Sequence, residues 1–176
     1  MKHSKHPSII EFIDHYENSD YIFIVMELLK AGTLQKYLEQ HEFKIPEKTA
    51  AIVAYQIADA LCYLHKYGVI HRDLKPDNIL LHDNKNLQKD ELELRLMDFG
   101  LSKILGFKEK TAEGYGTMAF ISPEIITRSP YGNSVDVWSL GVIIYYSLSG
   151  DIPFMPKSYN MDEMASNICQ KSLTFT

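Results

Sequence analysis

Apolar and polar positions alternate between residues 8 and 28, through Ile10 and Phe12 and again from Tyr21 to Met26. The cluster Glu17-Asn18-Ser19-Asp20 that divides the two runs favours a turn, so a β-hairpin is expected near the start of the chain. Gly32-Thr33 reads as a helix-start signal for a short amphipathic helix, Thr33 to Gln40. A longer helix follows. Pro46 and Glu47 suit its first turn, Val53, Ile57, Ala60, Leu61 and Leu64 recur at helical spacing, and Gly68 stands where a helix C-terminus favours glycine. Beyond it, two very short extended pieces, Val69-Ile70 and Ile79-Leu80-Leu81, flank the string His71-Arg72-Asp73-Leu74-Lys75-Pro76-Asp77-Asn78. A charged string between two strands predicts exposed chemistry rather than core.

The segment from His82 to Asp90 is polar and turn-rich and reads as a tolerated loop insertion. Leu92, Leu94 and Leu96 then alternate with Glu93, Arg95 and Met97 as one half-buried strand ending at Asp98. From Gly100 to Pro123 periodicity is weak, which predicts a long loop, and long loops inside a domain are usually functional. Ser134 is placed to cap a helix from Val135 to Ser149. That helix is apolar nearly all round through Val137, Trp138, Leu140, Gly141, Ile144 and Leu148, and Gly150 stops it. Such a helix belongs in the middle of a domain. Met161 to Gln170 is expected to be helical, and no internal repeat is found.

With 176 residues and 45% hydrophobic composition, the chain can bury one sizeable core and is about one domain long. A formal net charge of -5 leaves no basic surplus of the kind that marks nucleic-acid or anionic-membrane binders, so no nucleic-acid partner is expected. Cys62 and Cys169 are far apart and form no CxxC, which indicates neither a disulfide framework nor a zinc site and suggests a reducing compartment. Met1 to Pro7 lacks the apolar core of a signal peptide. The longest greasy run, Val137 to Leu148, falls short of the roughly 20 residues that span a bilayer. An intracellular, cytoplasmic protein without a membrane span is the expectation. The histidines at positions 3, 6, 15, 41, 65 and 82 form no ligand spacing and read as surface or capping residues.

Four motifs then stand in a telling order: the string His71 to Asn78, Asp98-Phe99-Gly100, Ser122-Pro123-Glu124, and Asp136-Val137-Trp138-Ser139-Leu140-Gly141. Each three-letter match alone is weak, but in this order and with fitting elements between them the chain resembles the eukaryotic protein kinase superfamily. Within it, the chain is most similar to Ser/Thr kinases of the calcium/calmodulin-dependent and calcium-dependent group. That similarity rests on Asp98-Phe99-Gly100-Leu101-Ser102-Lys103, the loop before it, and Leu148-Ser149-Gly150 ahead of Pro153-Phe154. The resemblance implies an α+β, protein-kinase-like fold, mostly the helical C-terminal lobe. Residues 1–28 would be a hairpin remnant of the N-terminal lobe, and 29–176 the hinge and C-terminal lobe without the last helices.

Phosphoryl transfer is mostly positioning and charge neutralisation. It needs a carboxylate near the attacking hydroxyl, oxygen ligands for Mg²⁺ and a cation near the moving phosphoryl group. By resemblance, Asp73 orients the substrate hydroxyl and accepts its proton, Lys75 contacts the γ-phosphate and accompanies Ser/Thr specificity, and Asn78 and Asp98 hold Mg²⁺ against the phosphates of ATP. Thr117 resembles the residue that bonds to this aspartate and lysine. Met26-Glu27-Leu28-Leu29 resembles the hinge, with Met26 as gatekeeper, Glu27 and Leu29 offering backbone groups to adenine and Leu80 on the floor of the slot; Met26 and Leu80 would equally suit plain core. Thr33 stands where many relatives carry an acid, a departure that bears on any preference for basic substrates. His71 and Phe99 resemble members of the stack that links the lobes, Asp136 its anchor to the catalytic loop, and Glu124 the glutamate that pairs with a later arginine.

An arginine beside the catalytic aspartate often pairs with a phosphate on the activation segment. The position four before Thr117 is Glu113, so Glu113 is expected to offer Arg72 and Lys103 a fixed negative charge. A solvated loop glutamate is the alternative, and Thr111 is a candidate phosphosite. No GxGxxG occurs in the chain; the Gly-rich loop, strand lysine and helix glutamate of the family have no counterpart, and the chain alone is expected to be inactive or very weak. Three functions are open to such a chain. The first is a protein Ser/Thr kinase in a full-length context, acting on protein substrates, with a regulatory domain or calcium sensor outside this chain as a further partner. The second is a noncatalytic kinase-like module that binds or regulates partners. The third, a small-molecule phosphotransferase, is disfavoured by Lys75, the long activation segment and Ser122-Pro123-Glu124.

Overall fold

The Asn18 side-chain oxygen accepts hydrogen bonds from the N–H groups of Asp20 and Tyr21 at 3.0 and 2.8 Å. This local bonding is what makes asparagine a turn former, and it joins strand β1 (Phe12–Glu17) to an antiparallel β2 (Ile22–Met26). In this computed structural model, which describes residues 5–82, 92–158 and 160–173, the hairpin packs little against the rest. Every residue of β2 is exposed, so neither side of its alternating pattern is covered by described residues. Of the expected insertion, residues 83–90 lie outside the described residues, as does His3.

Helix α1 (Leu34–Gln40) starts as expected, with Thr33 Oγ1 accepting from the N–H of Lys36. Helix α2 (Glu47–Lys66) buries Ala50, Val53, Ile57, Ala60, Leu61 and Leu64. That stripe forms one wall of the main core together with Leu34, Leu38, Ile79, Leu94 and Leu96. Strands β3 (Val69–Ile70) and β4 (Ile79–Leu81) follow, and β5 (Leu94–Leu96) pairs antiparallel with β4. Residues 8–10 run along the other edge of β5, through Ile10 N–H to Leu96 O at 3.0 Å and Leu96 N–H to Ser8 O at 2.9 Å. Gln56 ties β5 to α2: its amide oxygen accepts from Leu94 N–H at 2.9 Å, and its amide nitrogen donates to the carbonyl of Leu92.

The stretch Gly100 to Pro123 is less irregular than its sequence suggests. It contains β6 (Lys103–Ile104), paired with β3, and a 3₁₀ turn at Met118–Phe120, and it leads into α3 (Pro123–Ile126). Helix α4 (Ser134–Ser149) packs against α2, and α5 (Met161–Gln170) closes the described chain. The residue preceding α4 is Asn133 rather than Ser134; its backbone is already helix-like and no side chain caps it. Helix α4 is central, but not all of its apolar residues face inward. Val137 and Leu148 are exposed, while Asp136, Ser139 and Ser147 are buried. Among the described residues no helix is long and apolar enough to cross a membrane.

The expectation that His71 to Asn78 would be exposed is overturned. His71, Arg72, Asp73, Leu74, Pro76 and Asn78 are all buried. Polar groups tolerate burial when their hydrogen bonds are met inside, and α4 supplies the partner described below. A second tie fixes the strands around the string. Leu105 N–H donates to Gly68 O at 2.8 Å, and a Cβ on Gly68, where φ is +72°, would fall 2.3 Å from the carbonyl oxygen of Leu105. Gly68→Ala should therefore lower stability by more than about 1 kcal/mol, whereas Gly132→Ala, with nothing within 4 Å, should not. Thermal unfolding of the two variants side by side checks this; equal melting temperatures would contradict the close approach.

Candidate active site

Asp136, in the first turn of α4, is wholly buried. Its two carboxylate oxygens accept the consecutive backbone N–H groups of His71 and Arg72, each at 2.9 Å. A third donor is His65 Nε2, 2.7 Å from Oδ2. His65 is therefore neither the surface nor the capping residue expected: its side chain is largely buried, and it belongs to this network. His6 is also inside, with Nδ1 accepting from Ser8 N–H and Nε2 lying 3.2 Å from Asp59. His41 bonds the Tyr37 carbonyl at the end of α1, as a capping residue would.

Two side chains leave the anchored loop in different directions. His71 Nε2–H donates to the Met97 carbonyl at 3.0 Å and Nδ1 accepts from Asp73 N–H, which fixes the neutral tautomer, and the ring packs on Phe99 with centroids 5.2 Å apart. Desolvation pushes the His71 pKa below its ordinary 6.5 despite the nearby carboxylates of Asp136, Asp73 and Asp98. Arg72 sits in the left-handed region at φ 70° and sends its guanidinium to the residues on either side of β6. There it bonds the Leu101 carbonyl and the carboxylate of Glu113 and lies 4.9 Å over the ring of Tyr115. Burial opposes its charge, but Glu113 and Tyr131 more than offset that, and the net shift is upward.

Glu113 is shared. Lys103 Nζ lies 2.9 Å from its other oxygen and also donates to Thr111 Oγ1 at 3.1 Å, while Tyr131 OH donates to the Glu113 carbonyl at 2.7 Å. Lys103 first, and Arg72 second, hold the Glu113 carboxyl below its ordinary 4.5.

The carboxylate of Asp73 collects three donors. Thr117 Oγ1–H donates to Oδ1 at 2.8 Å, Lys75 Nζ lies 3.0 Å from Oδ2, and Asn78 Nδ2 donates to Oδ2 at 3.1 Å and to the Asp73 carbonyl at 2.8 Å. Lys75 Nζ also donates to Thr117 Oγ1 at 3.0 Å. The reach of Thr117 depends on Gly116, at φ +122°, since a Cβ there would stand 2.5 Å from Ile121 Cγ2 and 2.9 Å from the Arg72 carbonyl. Asp98 follows Met97, whose N–H bonds the Asn78 carbonyl across the β4–β5 pair at 2.9 Å, so the two expected metal-binding residues are neighbours. Asp98 is exposed and left-handed at φ 61°, with Oδ1 accepting from Gly100 N–H. No group of three His, Cys, Asp or Glu that could hold a metal exists among the described residues.

The remaining expected residues lie apart from this cluster. Met26 ends β2 and is 43% exposed, Leu29 is half-buried, and Leu80 in β4 pairs with Thr33. Glu27 N–H bonds the Glu11 carbonyl, and its carboxylate accepts from Glu11 N–H at 2.7 Å and lies 3.5 Å from Arg95 Nε, a link the sequence did not suggest. Glu124 is the second residue of α3, and its carboxylate has no partner among the described residues.

A family model described as the protein kinase domain matches residues 1–175. The chain belongs to the protein kinase family. It is 40% identical over 149 residues to the serine/threonine-protein kinase dkf-2 of Caenorhabditis briggsae, covering 85% of this chain and 12% of that protein. A probable myosin light chain kinase of Dictyostelium discoideum is 40% identical over 161 residues, covering 91% of this chain and 40% of the relative. The liver/testis gamma catalytic chain of phosphorylase b kinase from Mus musculus is 39% identical over 155 residues, 85% of this chain and 36% of the relative. This kinase chain thus spans less than half the length of these relatives.

Two outcomes test the network. Asp136→Ala leaves two buried N–H groups unpaired at about 1–3 kcal/mol each, so denaturant unfolding should show a loss of about 2–6 kcal/mol; a loss under about 1 kcal/mol would mean the loop is held otherwise. The pH dependence has two stages. Because the folded-state pKa of His71 is depressed, its contribution is full above 6.5 and is lost as pH falls toward that lower value. Glu113, also depressed, keeps its contribution down to 4.5 and loses it only at lower pH. Melting curves of His71→Asn should be flatter with pH just below 6.5 than those of the parent.

Proposed function

We propose that this kinase domain transfers the γ-phosphoryl group of ATP to the hydroxyl of a serine or threonine in a protein substrate. The observation that carries this reading is the convergence of Lys75, Thr117 and Asn78 on the single carboxylate of Asp73. With donors on both of its oxygens, that carboxylate is held in one orientation, ready to align an incoming hydroxyl and take its proton. The hydroxyl oxygen forms a bond to the γ-phosphorus, the bond to the bridging oxygen breaks with its electron pair leaving on ADP, and the proton passes to Asp73. Lys75, within 3.0 Å of Asp73, is close enough to the transfer point to stabilise charge on the moving phosphoryl group. Lysine at this position is also the basis for assigning Ser/Thr hydroxyls as acceptors.

Asn78 and Asp98 would hold Mg²⁺. The donor set fits: both offer oxygen, and a site with few protein ligands suits an ion that keeps several waters and completes its shell with substrate phosphates. When bound, the ion would neutralise charge on those phosphates. Met26, Glu27, Leu29 and Leu80 would receive adenine. Glu113 would stand in for an activating phosphate by holding Arg72 and Lys103 together. His71, Phe99, Asp136 and Glu124 serve as scaffold. Regulation by a domain or calcium sensor outside these residues belongs to the same proposal, on the sequence resemblance alone.

In the full-length protein that contains this chain, Asp73→Asn should lower phosphorylation of Ser/Thr protein substrates on the order of 10²–10⁴-fold without changing the melting temperature by more than a few degrees. Retained activity would remove Asp73 from its role. A folded full-length protein that transfers no phosphate to any Ser/Thr substrate would favour the noncatalytic binding module. Glu113→Ala should reduce the rate roughly tenfold, with Glu113→Asp intermediate; an unchanged rate would make Glu113 a solvated loop residue.

A further inference from the structure

A groove of about 800 Å³ lies between the C-terminal end of α2, strand β3 and the residues that follow β6. Its lining includes Lys66, Tyr67, Phe107, Lys108, Lys110 and Asn133, and none of Asp73, Lys75, Asn78 or Asp98. Two features set it apart from ordinary surface. Phe107 is 94% exposed and Tyr67 60%, so two aromatic rings face solvent across one concavity. Lys66, Lys108 and Lys110 are all exposed around them, in a chain whose formal net charge is -5. The one carboxylate among the lining residues, Glu109, folds back on its own loop, with Oε2 accepting from Gly106 N–H at 2.7 Å. That bond, the return bond from Glu109 N–H to Gly106 O and the tie from Leu105 to Gly68 give the loop a built shape, with Phe107 at its tip and Lys108 Nζ 5.4 Å from the ring centroid.

We propose that this groove docks an acidic peptide segment of a partner protein that carries an aromatic or aliphatic anchor residue. The anchor would pack between Tyr67 and Phe107, and the flanking carboxylates would meet Lys66, Lys108 and Lys110. Charge complementarity selects the occupant: a basic segment would be repelled, and a neutral apolar one would gain nothing from the three ammonium groups. The concave shape suits a single extended chain better than a flat lipid surface. The groove also borders the active site in sequence on both walls. Gly68 to Ile70 lead directly into His71, and Lys110 leads into Thr111, which Lys103 and Tyr131 hold beside Glu113. An occupied groove would rest against the segment that positions Arg72.

The probe is a fluorescein-labelled peptide of alternating Glu and Asp with one central Phe, titrated with the full-length protein and followed by anisotropy. The same peptide with Ala for Phe, and one with Lys for every acid, serve as controls. The acidic Phe peptide should bind, weaken steeply with added salt, and lose about tenfold in affinity with Phe107→Ala and about tenfold or more with Lys108→Glu combined with Lys110→Glu. Lys157→Glu, outside the groove, should leave binding unchanged. Equal binding of the Lys-substituted peptide, or no effect of the groove variants, would overturn the proposal. So would binding of vesicles of equal parts phosphatidylserine and phosphatidylcholine that the double variant abolishes while the peptide fails to bind, which would assign the patch to a membrane. Concentration-dependent dimers in sedimentation, abolished by the same variant without peptide binding, would assign it to a second copy of the chain.

Discussion

A single buried carboxylate, that of Asp136, holds the candidate site in shape. Removing Asp136 from water is costly unless its charge is matched by donors, and it receives three, from the N–H groups of His71 and Arg72 and from His65 Nε2. Two consecutive N–H groups can converge on one carboxylate only if the backbone turns sharply, and Arg72 does so in the left-handed region. Such a conformation costs a non-glycine residue of order 1 kcal/mol. The anchor therefore selects a backbone that the chain would not choose alone. That backbone aims Arg72 toward the residues on either side of β6 and Asp73 toward Thr117, so the geometry of both clusters descends from one interaction between α4 and the loop.

The two clusters differ in what holds them. Around Asp73 the donors are close and largely buried, where each lost hydrogen bond leaves a desolvated group behind. Around Glu113 the carboxylate is exposed, and ion pairs in that setting contribute little and are screened by salt. The loop from His71 to Asn78 is accordingly the fixed half of the site, and the segment carrying Glu113 the adjustable half. Gly116 marks the join. Its glycine-only backbone lets Thr117 reach Asp73 while packing against the Arg72 carbonyl, so displacement of the adjustable half is felt at the carboxylate of the fixed one.

What the sequence disclosed follows from how each signal is encoded. Long periodic runs were legible: the stripe Val53, Ile57, Ala60, Leu61 and Leu64 belongs to α2, and the bounds of α5 match the expected ones. Short elements were not, because a two-residue strand such as β6 has no period and exists only through its pairing with β3. Ser134 looked like a cap because its side chain suits the role, but the backbone had already entered helical geometry at Asn133. Burial of the string His71 to Asn78 was misread for a related reason. Polarity forecasts exposure only when no internal partner exists, and the partner lay 65 positions away in α4.

Residue types at motif positions carried the resemblance, yet the residues that make those positions work are less distinctive. His65 is the last residue but one of a helix, where a histidine is commonly a surface residue favoured by the helix dipole, and Gln56 occupies an unremarkable position in the middle of the same helix. Both act through long-range bonds, His65 on the anchor and Gln56 on the strand that precedes Asp98. A helix whose inward face satisfies the core can still present single polar side chains along its margin, and these carry no periodic signature. Helix α2 is thus more than a packing wall. Through two polar residues nine positions apart in sequence, it holds both α4's carboxylate and the N-terminal end of β5, and so helps set the spacing between the loop bearing Asp73 and Asn78 and the strand that delivers Asp98.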